Sequence, residues 1–138
     1  INKKIHSALN KNLKVIFCIG ETLKEKRKKI TFSVLNRQIN KGLKNIKNFK
    51  NILIAYEPVW SIGTGIIPEN VYLNIFFLKI KKYLKNEFKI KATVVYGGSV
   101  SSKNINELKN IDLCDGYLVG GASLKHKNFI DIIKKYYN

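Results

Sequence analysis

The chain has 138 residues and carries 26 Lys and Arg against 9 Asp and Glu, a formal net charge of +17. With 45% hydrophobic and 25% charged residues it has the composition of a globular domain, which excludes an intrinsically disordered chain. No apolar run approaches the roughly 18 residues of a membrane span, and the first residues do not have the form of a signal peptide, so no membrane partner is expected, while two widely separated cysteines read as reduced thiols point to a cytoplasmic location.

Residues 2–11 carry Ile5, Ala8 and Leu9 on one face, the spacing of an amphipathic helix. Residues 13–19 (LKVIFCI) form a short apolar run closed by Gly20, a candidate buried strand. Thr22 and Glu25 have the spacing of a capping box, and Ile30, Val34, Leu35 and Ile39 continue at helical spacing to Gly42, read as a helix stop. Residues 51–56 (NILIAY) read as a second strand running into Glu57-Pro58-Val59-Trp60 and the turn Gly63-Thr64-Gly65. A helix is expected from Pro68-Glu69-Asn70 onward. Residues 92–96 (ATVVY) are a third strand, ending at Gly97-Gly98-Ser99, and residues 103–108 a short helix. Residues 116–119 (GYLV) are a fourth strand ending at Gly120-Gly121, and residues 129–137 a closing helix. Short apolar strands alternating with helices predict a parallel sheet built from right-handed βαβ units. No linker or composition shift divides residues 1–138, which read as one domain.

The positive charge is a weak pointer to nucleic acid. Only Arg27 and Arg37 are arginines, and base and phosphate recognition favours Arg. Lys, Ile and Asn together make up 60 of the 138 residues, and all three have A/T-rich codons, so solvated lysine faces without a nucleic-acid partner are expected. Cys18 and Cys114 lie far apart in runs that read as buried strands, which predicts two reduced thiols. The chain holds no Met and begins at Ile1, which raises the expectation of further chain upstream.

Of nine glycines, seven fall just after a strand, at the end of a parallel sheet where α/β proteins place ligands. Gly97-Gly98-Ser99 and Gly120-Gly121 each read as a cradle of backbone N–H groups for an anion, or as ordinary turns. Gly63-Thr64-Gly65 reads as a mobile loop that closes over a ligand. Glu57 is the sole acidic residue between Glu25 and Glu69. The following proline biases it away from helix, and the neighbouring Trp60 and Pro58 predict a partly desolvated carboxylate suited to act as a base. Composition alone allows a surface glutamate equally well.

The run Ala55-Tyr56-Glu57-Pro58-Val59-Trp60-Ser61-Ile62-Gly63-Thr64-Gly65 closely resembles the signature of the triosephosphate isomerase family. Residues 96–100 (YGGSV) and 119–124 (VGGASL) are similar to that family's two later phosphate-binding motifs, and residues 18–23 (CIGETL) with Arg37-Gln38 are similar to family sequence as well. The motifs stand in family order across essentially the whole chain. The resemblance implies the C-terminal half of a (β/α)8 barrel: the helix after strand four, then strands five to eight with their helices, the N-terminal half being absent.

It implies the interconversion of dihydroxyacetone phosphate and glyceraldehyde 3-phosphate through an enediolate, with no cofactor and no metal. Glu57 matches the catalytic base. Pro58, Val59, Trp60, Ser61, Ile62, Gly63, Thr64 and Gly65 match the lid that shuts out water. Gly63, Ser99, Gly120 and Gly121 match the phosphate-binding positions, Tyr96 and Ser99 match the groups that hold the closed lid, and Cys18 matches a buried structural cysteine. A phosphorylated triose as substrate and a homodimer of the full-length enzyme follow from the same likeness. The family's catalytic Asn, Lys and His belong to strands one to four, and His6 and His126 lie outside the histidine motif and read as surface residues. Ile66-Ile67-Pro68 departs from the usual polar hinge. A half-barrel kept as a non-catalytic interaction module is the alternative.

Overall fold

The computed structural model describes all 138 residues. Helix α1 (Asn2–Asn10) leads into strand β1 (Val15–Ile19), a short helix α2 (Leu23–Arg27) and helix α3 (Thr31–Leu43). Strand β2 (Ile52–Tyr56) is followed by a 3-10 turn, Val59–Ser61, and the long helix α4 (Asn70–Phe88). Strand β3 (Val94–Gly97), helix α5 (Ile105–Leu108), strand β4 (Tyr117–Leu118), a 3-10 turn at Gly121–Leu124 and helix α6 (His126–Tyr137) complete the chain. The expected capping box is present: Thr22 N–H donates to the Glu25 carboxylate at 2.8 Å, and Glu25 N–H donates back to the Thr22 hydroxyl at 3.3 Å.

The four strands lie in the order β1-β2-β3-β4, all parallel. Ile19 pairs with Tyr56, Tyr56 with Tyr96 and Tyr96 with Tyr117, so the carboxyl ends of the strands are level. Sequential parallel strands with helical crossovers make the winding of half a (β/α)8 barrel. Side chains alternate across the sheet as the pleat requires. Phe17, Ile19, Ile54, Tyr56, Val94 and Tyr96 enter one core cluster with Ile5, Leu35, Ile39, Leu73, Phe77, Ile105 and Ile132 from the helices. Ile16, Cys18, Leu53, Ala55, Val95 and Gly97 point to the opposite, concave face, and Glu57 continues that row.

Three expectations are corrected here. Gly42 does not stop a helix. It lies inside α3, where a Cβ would overlap the Phe17 ring, and Asn45 is the residue beyond the helix with positive φ (62°). Glycine is required there because helix and strand approach closely. Cys18 is exposed rather than buried: it alternates with Phe17 on β1, an edge strand, and points away from the core cluster to the concave face. The fourth strand shrinks from the expected 116–119 to Tyr117–Leu118, which pair with Tyr96 and Gly97, since its one neighbour β3 ends at Gly97.

Candidate active site

The level carboxyl ends of the strands bring the sequence motifs to one rim. Glu57 extends β2 by one residue, and its N–H donates to the Ile19 carbonyl at 2.7 Å. Two glycines leave it room. A Cβ at Gly20 would overlap the Glu57 carbonyl, and one at Gly97 would stand 2.6 Å from Glu57 Cγ and Oε1. Gly20 is clamped in turn by Gln38, whose carboxamide accepts from Gly20 N–H and donates to its carbonyl, both at 2.9 Å. The half-buried Glu57 side chain therefore lies across the end of β3 on the concave face. Cys18 is its neighbour there. Partial burial first, and then the Glu57 charge, push the Cys18 thiol up to about 11.

Trp60 does not shield Glu57, contrary to the sequence reading. Its indole N–H donates at 2.8 Å to Glu21, a carboxylate with no solvent exposure. Glu21 also accepts from the hydroxyls of Tyr56 and Tyr72, each at 3.1 Å, and its carbonyl accepts from Val59 N–H at 3.0 Å. The ammonium of Lys26 lies 3.5 Å from the centre of the Trp60 ring. Glu21 thus ties the start of the lid to the sheet and to α4. Its place directly after Gly20 at a strand end is the signal that sequence reading quoted without giving it a role.

The rest of the lid is fastened at its far end. The fully buried Ser61 hydroxyl donates to the Ile66 carbonyl at 2.7 Å and stands 2.9 Å from the Tyr96 hydroxyl. Thr64 Oγ1 donates to the Ser61 carbonyl at 3.1 Å and accepts from Ile66 N–H at 3.2 Å. Gly65 N–H donates to the Ser99 hydroxyl at 2.8 Å. Gly63 and Gly65 have φ of +70° and +79°, which L side chains rarely adopt, and that explains the two glycines of the lid tip.

The glycine pairs differ in purpose. Gly97 and Gly98 both answer to packing, since Gly97 makes room for Glu57 and Gly98 for the Tyr96 and Ser61 hydroxyls. The Ser99 hydroxyl, while accepting from Gly65, still has its own proton to donate. At Gly120 and Gly121 a Cβ would meet nothing within 4 Å. Packing does not demand glycine there. Gly121 opens a 3-10 turn whose first N–H groups have no partner within the turn. The structure brings Glu57, Gly97, the lid and Ser99 together, and places Gly120 and Gly121 two strands away on the same rim. Gly63 stands at the exposed lid tip. His6 Nε2 donates to the Lys44 carbonyl (3.2 Å) and His126 begins α6, so neither belongs to the rim.

The same relationship appears in whole-sequence comparison. The sequence profile of the triosephosphate isomerase family matches residues 1–136. The triosephosphate isomerase of Thermodesulfovibrio yellowstonii is 43% identical over 137 residues, covering 97% of this chain and 56% of the relative. That of Mycoplasma mobile is 43% identical over 134 residues, covering 97% and 54%, and that of Candida albicans 43% over 138 residues, covering 97% and 55%. The chain spans about half the length of the curated relatives it matches. With the motif order, the parallel winding and the profile all in agreement, this chain belongs to the triosephosphate isomerase family.

Proposed function

We propose that the chain supplies the base, the lid and the phosphate-binding positions of an isomerase that interconverts dihydroxyacetone phosphate and glyceraldehyde 3-phosphate. The observation that carries this reading is the placement of the Glu57 carboxylate at the carboxyl end of β3, beside a lid whose Gly65 N–H is bonded to Ser99. In the forward direction Glu57 takes a proton from the hydroxymethyl carbon next to the carbonyl. The electron pair of that C–H bond forms the C=C bond, and the carbonyl π pair moves to oxygen, giving the enediolate. Return of the proton to the adjacent carbon, with transfer of the hydroxyl proton between the oxygens, completes the aldose.

Each part of the rim has a task in that sequence. Gly20 and Gly97 hold the carboxylate in place without competing for its oxygens. The lid from Pro58 to Gly65 keeps water from the enediolate, a mechanism known for this family as lid closure. Ser99, Gly63, Gly120 and Gly121 offer hydroxyl and N–H donors to the phosphate. The donors that polarise the carbonyl come from outside this chain's rim, where neither histidine reaches.

The test is Glu57→Gln in the assembled enzyme. The amide keeps shape and reach but cannot take the proton, and general-base catalysis is commonly worth about 10²–10⁴-fold. The loss should fall on kcat, with phosphate-analogue affinity kept. Near-normal turnover would remove Glu57 from the role of base.

A further inference from the structure

The amino end of the sheet, opposite the Glu57 rim, holds a broad cavity. A crevice of about 910 Å³ opens between the last turns of α4 and the start of β3. Five lysines line it: Lys81, Lys82 and Lys85 on α4, then Lys89 and Lys91 on the connection to β3. One acid faces them, Asp115, and its charge is already used. One oxygen binds Lys81 at 2.8 Å and the other accepts Val94 N–H at 2.7 Å. The remaining four ammonium groups have no carboxylate within 4.0 Å. The end of α4 contributes the equivalent of about half a negative charge, far short of balancing them.

The crevice does not stop at the lysines. Ile90, Lys91, Ala92 and Thr93 also line a second cavity of about 290 Å³, together with Phe49, Ile52 and Leu43. A positive mouth thus adjoins a smaller slot with hydrophobic side chains in its wall. The larger cavity lies within the roughly 300–1,000 Å³ range of small-molecule sites and the smaller at its lower limit. Like charges gathered around one concavity repel one another, and a multivalent anion seated there relieves that repulsion.

We propose that this amino-end crevice binds an organic polyphosphate: a phosphate chain against Lys82, Lys85, Lys89 and Lys91, and a flat apolar ring system in the slot beside Phe49. The inference is independent of the isomerase reading, since no residue of the Glu57 rim takes part.

The test titrates the whole chain with ATP and, separately, with inorganic tripolyphosphate, both in chelator, at about 0.15 M salt where exposed charges are screened beyond roughly 8 Å. ATP should bind saturably and more tightly than tripolyphosphate, because the base fills the slot. Replacing Lys82, Lys85, Lys89 and Lys91 together by Gln should weaken ATP by about tenfold or more. Replacing Lys3, Lys4, Lys125 and Lys127, which lie outside the crevice and remove the same charge, should change it by less than about twofold. Circular dichroism checks that both variants keep the fold. Equal weakening by the two sets would reduce the effect to net charge. No saturable ATP binding, or tripolyphosphate binding at least as tightly as ATP, would overturn the proposal.

Discussion

Replacing Glu21 should destabilise the chain more than any other single exposed-looking glutamate in the sequence. Its carboxylate is fully buried and accepts from Trp60 at 2.8 Å, Tyr56 at 3.1 Å and Tyr72 at 3.1 Å. Glu21→Ala leaves three donors without their acceptor. Tyr56 is itself fully buried, so its hydroxyl has no access to water and bears the cost of an unsatisfied buried group, about 1–3 kcal/mol. Trp60 and Tyr72 are partly exposed and recover water, so each loses about 0.5–1 kcal/mol. The sum is roughly 3 kcal/mol, the scale seen when one partner of a buried charged network is removed. Glu21→Gln keeps a carbonyl oxygen for the indole, and its NH₂ can donate to a tyrosine hydroxyl, so it should cost only about 1 kcal/mol. The assay is urea unfolding followed by Trp60, the sole tryptophan, and by far-ultraviolet circular dichroism. In Glu21→Ala the Trp60 emission should also shift to the red in the native baseline, because the indole loses its anchor. A loss below about 0.5 kcal/mol for Ala, or equal losses for Ala and Gln, would refute the argument that this network holds the lid's first residues.

Two other perturbations read the site directly. Cys18 is exposed, yet its thiol is raised from 9.0 to about 11, which near pH 8 cuts the thiolate fraction by about a hundredfold, so alkylation should be slow in the folded chain. Glu57→Gln removes the carboxylate's part of that shift and leaves the larger part due to burial, so Cys18 labelling, located by peptide mass spectrometry, should speed up several-fold; an unchanged rate would mean that the carboxylate is not beside the thiol. Gly121→Val should leave stability unchanged within about 0.5 kcal/mol, since a Cβ meets nothing there, while weakening calorimetric binding of a phosphate-bearing analogue to the assembled enzyme. Unchanged affinity would put the phosphate elsewhere.

The residues that announce themselves in the sequence are those whose role is local. An apolar run ending in glycine, as at Val15–Ile19 and Gly20, needs no tertiary knowledge to be read as a strand reaching a rim. The Thr22–Glu25 box is complete within four residues. Glu57, Ser99 and the lid were legible because the full motif around them resembles a family. What could not be read depends on a second element. Gly42 looks the same in sequence whether it ends a helix or admits the Phe17 ring. That Gly97 and Gly98 must lack a side chain is visible only once Glu57 and Tyr96 are seen beside them. The direction of the Trp60 ring was set by Glu21, 39 residues earlier. Cys18 was read as buried because apolar strands are usually covered on both faces in parallel sheets, whereas β1 is an edge with an open concave side.

That open side bears on the central claim. The concave face leaves Ile16 half exposed, and β1 and β4 each present an unpaired edge, which in a closed barrel would not exist. In the function proposed above the chain supplies the base and the phosphate-binding positions, but no group that would stabilise charge on the substrate's carbonyl oxygen, usually the largest catalytic contribution. The decisive measurement is a triose phosphate isomerase assay on the purified chain, alone and mixed with a second chain carrying strands one to four of a family member. The account predicts no turnover above background for the chain alone, turnover on mixing, and loss of that turnover when the chain carries Glu57→Gln. Substantial isomerase activity in the chain alone, or restored activity indifferent to Glu57, would contradict it.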